Sequence, residues 1–205
     1  MPEPILREPI AMELPLFPLS GIVMPDGLMP LRLFERRYID MVTGCLRAGS
    51  GFGVCLIREG REAGQPAEPY PLGTEVQIVD FDQGADGLLH ITAKGVREFA
   101  VLHHAANDSQ LLIGEVEVRE SAGPTSMEPA FESLAGKLDL ILRYVEPDFS
   151  YPEKHLDDAD WVCHRLLELL PLTAPAKFEL LQMDSNRERL ETLASLQIEI
   201  ADRAD

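Results

Sequence analysis

Cysteine is scarce in this chain of 205 residues: Cys45, Cys55 and Cys163 are an odd count with no C-x-x-C spacing. That fits buried thiols in a reducing cytosol better than a disulfide framework or a zinc site. Positive charge is also short, with 18 Lys and Arg against 35 Asp and Glu and a formal charge of −17. A partner held through phosphates needs clustered cations, so nucleic acid is disfavoured as a ligand. No basic half is hidden, because residues 1–120 carry −8 and residues 121–205 carry −9. No uninterrupted apolar run is long enough to span a membrane, and the first residues lack a basic stretch followed by an apolar one. A cytoplasmic location is expected. A G-x-x-x-x-G-K-[ST] loop is missing, the lysines Lys94, Lys137, Lys154 and Lys177 stand isolated, and no serine sits in a G-x-S-x-G or Ser/Lys context. Neither a phosphate cradle nor an activated nucleophile is legible, so the reading is non-enzymatic, with no cofactor.

What the chain does have is an apolar stretch from Leu14 to Tyr38, broken by Pro15, Pro18, Pro25 and Pro30. Each proline fixes φ and removes a donor, which forbids a continuous helix and predicts extended chain. Leu16, Phe17 and Leu19 suit a first strand, Pro25-Asp26-Gly27 a turn, and Leu28 to Phe34 a second extended run. Tyr38, Met41, Val42, Cys45 and Leu46 then fall at helical spacing, stopped by Gly49-Ser50-Gly51. Phe52 to Ile57 reads as a buried strand, and the stretch from Arg58 to Pro71, without any period, as a loop. Thr74 to Phe81 and Leu88 to Thr92 flank a hairpin turn, Gly95 marks a bend, and Ile113 to Arg119 alternates with Val116 and Val118 inward. Short antiparallel strands with one early helix predict a compact barrel or folded sheet.

Beyond Gly123-Pro124 the period becomes helical. Thr125-x-x-Glu128 fits a capping box, and Phe131, Leu134, Leu138, Ile141 and Val145 form one face of a helix ending near Pro147. Asp157, Asp158 and Asp160 precede a second helix bearing Val162, Leu166, Leu169 and Leu170, and are read as helix-start electrostatics in preference to a divalent-cation site. A short helix from Ala176 to Met183 follows, then Ser185-x-x-Glu188 caps a last one with Leu190, Leu193, Leu196 and Ile200. The fold class is therefore α+β, a β-rich compact barrel or folded sheet with an inserted helix over residues 1–122 and a helical bundle over 123–205.

Two passages carry a resemblance. Leu-Pro-Leu-Phe-Pro-Leu from Leu14, the Pro25-Asp26-Gly27 turn and Pro30-Leu-Arg-Leu-Phe-Glu-Arg-Arg-Tyr38 resemble the opening of the Lon protease amino-terminal domain. Leu180-Leu181, Asp184 and Arg189-Leu190 follow in the order found in that family, so the similarity runs over roughly residues 12 to 200. The resemblance implies that the β-rich part is a PUA-like pseudo-barrel, and it implies a role in recognising protein substrates. With no sign of the ATPase and protease parts, it implies a free-standing accessory domain, an adaptor or handler of unfolded chains.

Candidate binding residues follow from composition. Ile22, Val23, Met24, Leu28 and Met29 place flexible methionines beside branched aliphatics on a Pro/Gly-kinked loop, an adaptable contact surface for protein segments if exposed, with Arg36 as a polar anchor at its edge. Arg37 is read as structural, bonding loop carbonyls. His103 and His104 point to opposite faces of a strand and do not chelate one metal ion. A second possibility is a small-molecule pocket between the two halves, lined by Phe34, Tyr38 and Trp161. A third is RNA, because PUA domains proper bind it; the acidity of the chain weighs against this.

Overall fold

The computed structural model describes residues 11–119, 125–145, 151 and 153–196. The proline-broken opening forms two strands, β1 (Ala11–Leu19) and β2 (Leu28–Leu33), before helix α1 (Arg36–Ala48), which Gly49 ends in the left-handed conformation. Then come β3 (Phe52–Glu59), β4 (Glu68–Gln83), β5 (Leu89–Ala106) and β6 (Leu112–Val118). β1 passes from β6 to β3 at Leu16, so each half of the strand has one unpaired side. Pro15 and Pro18, lacking a donor, are tolerated for that reason.

The six strands pair in the order β2-β5-β4-β3-β1-β6, and β6 returns to β5. Five strands thus close on themselves with β2 outside the ring. The length of β5 makes this possible: residues 89–94 pair with β2, and residues from Phe99 to Ala106 pair with β6. One expectation is corrected, since β1 and β3 run parallel. The intervening β2 and α1 serve as the crossover that a parallel pair needs. The stretch from Arg58 to Pro71 is also less loop than expected, because β3 reaches Glu59 and β4 starts at Glu68.

A short 3-10 turn (Pro129–Phe131) leads into α2 (Glu132–Val145), followed by α3 (Ala159–Leu169), α4 (Ala174–Leu181) and α5 (Asn186–Ser195). Within the aspartate cluster expected at the start of this helix, Asp158 caps α3 by accepting from the amides of Asp160 and Trp161, and Ser185 caps α5 through the amide of Glu188, as the sequence expects. Thr125 is no helix cap. Its segment runs extended, with Ser126 bridged to Asp158 and the Thr125 hydroxyl donating to Asp160 Oδ2 at 2.9 Å. The expected stop at Pro147, the Gly123-Pro124 boundary and Ile200 lie outside the described residues.

Core packing joins the two halves. α1 closes one side of the sheet with Tyr38, Met41, Val42 and Cys45 over Phe17, Phe52 and Ile91. The largest apolar cluster unites Trp161, Leu166, Leu138 and Leu190 of the helical part with Ile22, Met24 and Leu56 of the sheet part. The helices are therefore built onto the loop between β1 and β2, and α3, buried nearly all round, is the element that receives it.

Candidate functional site

The loop receives a buried ion pair. Arg165 on α3 is fully buried and lies against Glu168 one turn later, with Nε to Oε2 at 2.6 Å and Nη2 to Oε1 at 3.0 Å. Both partners also grip the loop. The Met24 amide donates to Glu168 Oε1 at 2.6 Å, and Arg165 Nη2 donates to the Pro25 carbonyl at 2.9 Å. The Tyr151 hydroxyl donates to Glu168 Oε2 at 3.1 Å, and the rings of Tyr151 and Trp161 lie 5.1 and 5.7 Å from the guanidinium carbon. Burial pushes the carboxyl of Glu168 up, against the pull of Arg165. A turn this tight demands glycine at two places. A Cβ on Gly27 would sit 1.9 Å from Glu168 Oε1, and one on Gly95 would sit 2.0 Å from the Met24 carbonyl. Gly95 lies at a bulge between β4 and β5, where its N–H and C=O bond to Gly27 and Asp26. The bend expected there is thus a dock for the loop.

These bonds overturn the expected contact surface. Ile22, Val23 and Met24 are buried, at 8%, 3% and 1% exposure, and Leu28 and Met29 are half-buried. Only Arg36 faces water, bonded to Asp40 one turn along α1. The apolar side chains fill the seam because α3 supplies charged groups for the loop's backbone donors and acceptors, which would otherwise need water. Arg37 behaves as expected: it is buried, donates to the Gln110 carbonyl at 2.9 Å and pairs with Glu35 at 3.0 Å. Burial raises the thiols of Cys55 and Cys163 to about 12, so both are inert packing groups.

A second ionic cluster sits where β5 meets α3 and α5. Arg189 forks onto Glu98, Nη1 to Oε1 at 2.9 Å and Nη2 to Oε2 at 3.2 Å, and also donates to the carbonyls of Leu180 and Leu181. Burial raises the Glu98 carboxyl, but the bonds and charge of Arg189 outweigh it and hold the group below the usual range. Asn186 links this pair to α3: its Oδ1 accepts from Arg189 at 2.9 Å, while its Nδ2 faces Asp160 Oδ1 at 2.7 Å and His164 Nε2 at 3.2 Å. The orientation is forced, since Arg189 only donates and Asp160 only accepts. His164 Nε2 is therefore an acceptor and the imidazole neutral, in agreement with a pKa that burial lowers to about 4.

Above this cluster opens a cleft of about 370 Å³. Arg97, Arg119, Arg187 and Arg189 line it together with Glu98, Glu128, Asp160 and Asp184, so cations and carboxylates are matched. Phe34, Tyr38 and Trp161, the expected lining of a junction pocket, are elsewhere: Phe34 is exposed, Tyr38 stacks on Phe17 under α1, and Trp161 packs against Tyr151.

The exposed apolar surface lies elsewhere than the sequence points, on the far part of β4. Past its pairing with β3, β4 continues from Gln77 to Gln83 as an arm held by β5 alone. Val79 is extruded at a bulge between Ile78 and Asp80, and is 53% exposed; Phe81, paired with Ile91, is 59% exposed. Ile78, Ile91 and Leu31 on the same face belong to the core under α1, and Phe81 continues that face beyond its cover. A shallow groove of about 280 Å³ runs beside it, lined by Pro30, Arg32, Asp80, Asp82, His90 and Thr92 among others. Sequence reading takes Thr74 to Phe81 as an ordinary hairpin strand; the Asp-Phe-Asp triplet next to the turn is the signal that it passes over.

Comparison with known families matches residues 13–196 to the ATP-dependent protease La (LON) substrate-binding domain. The chain belongs to the Lon substrate-binding domain family. Among solved structures, the Lon N-terminal domain protein from Xanthomonas campestris is 41% identical, with a TM-score of 0.73 over 89% of this chain and 96% of that one. The N-terminal domain of the Mycobacterium avium complex Lon protease shares the fold at 18% identity and a TM-score of 0.61, over 91% of this chain and all of that one. No curated protein matches. The Lon match is to the substrate-binding domain and names neither an ATPase nor a protease domain. Within this Lon-family chain the polar groups of the junction are engaged with one another: Ser185 Oγ caps α5, Thr125 is bonded to Asp160, and the free lone pair of His164 is taken by Asn186. That arrangement holds two halves together. Among the described residues no helix is long and apolar enough to cross a membrane.

Proposed function

We propose that this chain is a non-enzymatic substrate-recognition module that binds segments of other proteins, as an adaptor or a handler of unfolded chains. The observation that carries the reading is the match of nearly the whole chain, residues 13–196, to the Lon substrate-binding domain. The exposed arm with Val79 and Phe81 supports it, because large apolar side chains held out on a strand paired to β5 are a contact surface present before binding. Mixing the protein with a reduced, unfolded protein such as casein and following amide exchange tests it. Complex formation with protection confined to one face is the expected result; no complex and no protection at any ratio sinks the reading.

The junction cleft favours a second reading, a site for a small polar ligand, since about 370 Å³ lies within the usual size of such pockets. Its matched charges give it no basic stripe for RNA. A small-molecule site there requires a ligand that raises the melting temperature of the protein and loses that effect in Arg119→Ala.

A further inference from the structure

We propose that the β4 arm, residues 77–83, is a docking face for cationic, apolar polypeptide segments. This rests on the substrate-recognition reading and names the kind of segment recognised. Three observations meet on the arm. Val79 and Phe81 are more than half exposed on a strand that outruns the core, so apolar contact area is available without unfolding. Asp80 and Asp82 flank Phe81 on the opposite face of the arm, both exposed. The neighbouring cation, Arg32 on β2, is directed to Asp86 at 3.3 Å. A segment lying along the edge of the arm that β3 leaves unpaired therefore has the aromatic ring on one face and the two carboxylates on the other, in the field of a chain carrying −17.

The same facts select the occupant. A second copy of this chain would bring a like-charged arm against this one, and nucleic acid or an anionic membrane surface would be repelled outright. A lysine- or arginine-flanked apolar segment gains on both counts, laying its apolar side chains on Phe81 and Val79 while its cations reach Asp80 and Asp82. Recognition runs through side chains and not by adding a strand to the sheet. The amides of Phe81 and Gln83 are already occupied by the carboxylates of Asp80 and Asp82, at 2.9 and 2.8 Å, which blunts this edge for strand pairing.

The test uses the whole chain and two synthetic peptides with one apolar core, flanked by lysines in one and by glutamates in the other. Fluorescence anisotropy is expected to give the lysine peptide an affinity higher by about tenfold or more at low salt, a gap that shrinks as ionic strength rises. Asp80→Asn combined with Asp82→Asn should close the gap, and Phe81→Ser should weaken the lysine peptide, with melting temperatures unchanged because all three side chains are exposed. Equal affinities for the two peptides, or a lysine preference that survives the double variant, overturns the proposal. If casein binds while neither peptide does, or protects another face, the arm is not the site and the substrate-recognition reading stands. If nothing binds, both fall.

Discussion

Two segments of similar make-up meet opposite fates. The loop from Ile22 to Met29 and the arm from Gln77 to Gln83 both mix branched aliphatics, a bulky apolar side chain and aspartate, and both adjoin turns. The loop is drawn into the seam, where Glu168 and Arg165 satisfy the Met24 amide and the Pro25 carbonyl. Ile22, Met24 and Leu28 then join the core cluster of the helices, while Val23 and Met29 join the core under α1. The arm has β5 on one side and its own aspartates capping its amides on the other, and no element of the described residues covers Phe81. Burial of an apolar segment here depends on whether a partner is at hand for its backbone, and only secondarily on how apolar it is.

The comparison can be broken hardest at the clamp. Arg165→Met leaves the Glu168 carboxylate buried without its counter-charge and is expected to cost about 3–5 kcal/mol in urea denaturation, much of it recovered in the double variant Arg165→Met, Glu168→Leu. A loss below about 1 kcal/mol would mean that apolar packing alone holds the loop. Acid comes next. His164 stays neutral in the folded chain down to about pH 4, whereas in the unfolded chain it takes a proton near its ordinary 6.5. Its contribution is intact above that value and is lost as pH falls through this window, by up to about 3 kcal/mol. Glu98, held below its usual range, adds a further loss at the acid end. His164→Gln should flatten the upper part of the profile; an unchanged profile would mean that the imidazole is not buried neutral.

Smaller effects sharpen the contrast between interior and surface. Asp158→Ala removes the cap of α3, the helix that carries the clamp, and should cost about 1 kcal/mol while the fold is retained by circular dichroism. Phe81→Ser should shift stability by no more than about 0.5 kcal/mol, since the ring already faces water. A large loss there would show the arm to be covered in solution and would remove its claim to be a binding face.

Most elements were legible in the sequence because their signals are local. Prolines that forbid helix, the apolar stripe from Tyr38 to Cys45, the alternation around Val116, the aspartates at the start of α3 and Ser185 as a cap all act within one turn or one strand. Family membership was legible for the same reason, since ordered motifs survive in linear sequence. Three things were decided only in the tertiary structure. The parallel pairing of β1 with β3 depends on a crossover that brings distant strands together. The fate of the Ile22 to Met29 loop depends on Glu168, a residue 144 positions from Met24 along the chain, and nothing at Met24 announces it. The exposure of Phe81 depends on the core under α1 stopping short of it. Charge pairing and cover act across space without regard to sequence separation, so which apolar segment becomes core and which is left to meet a partner is set by packing.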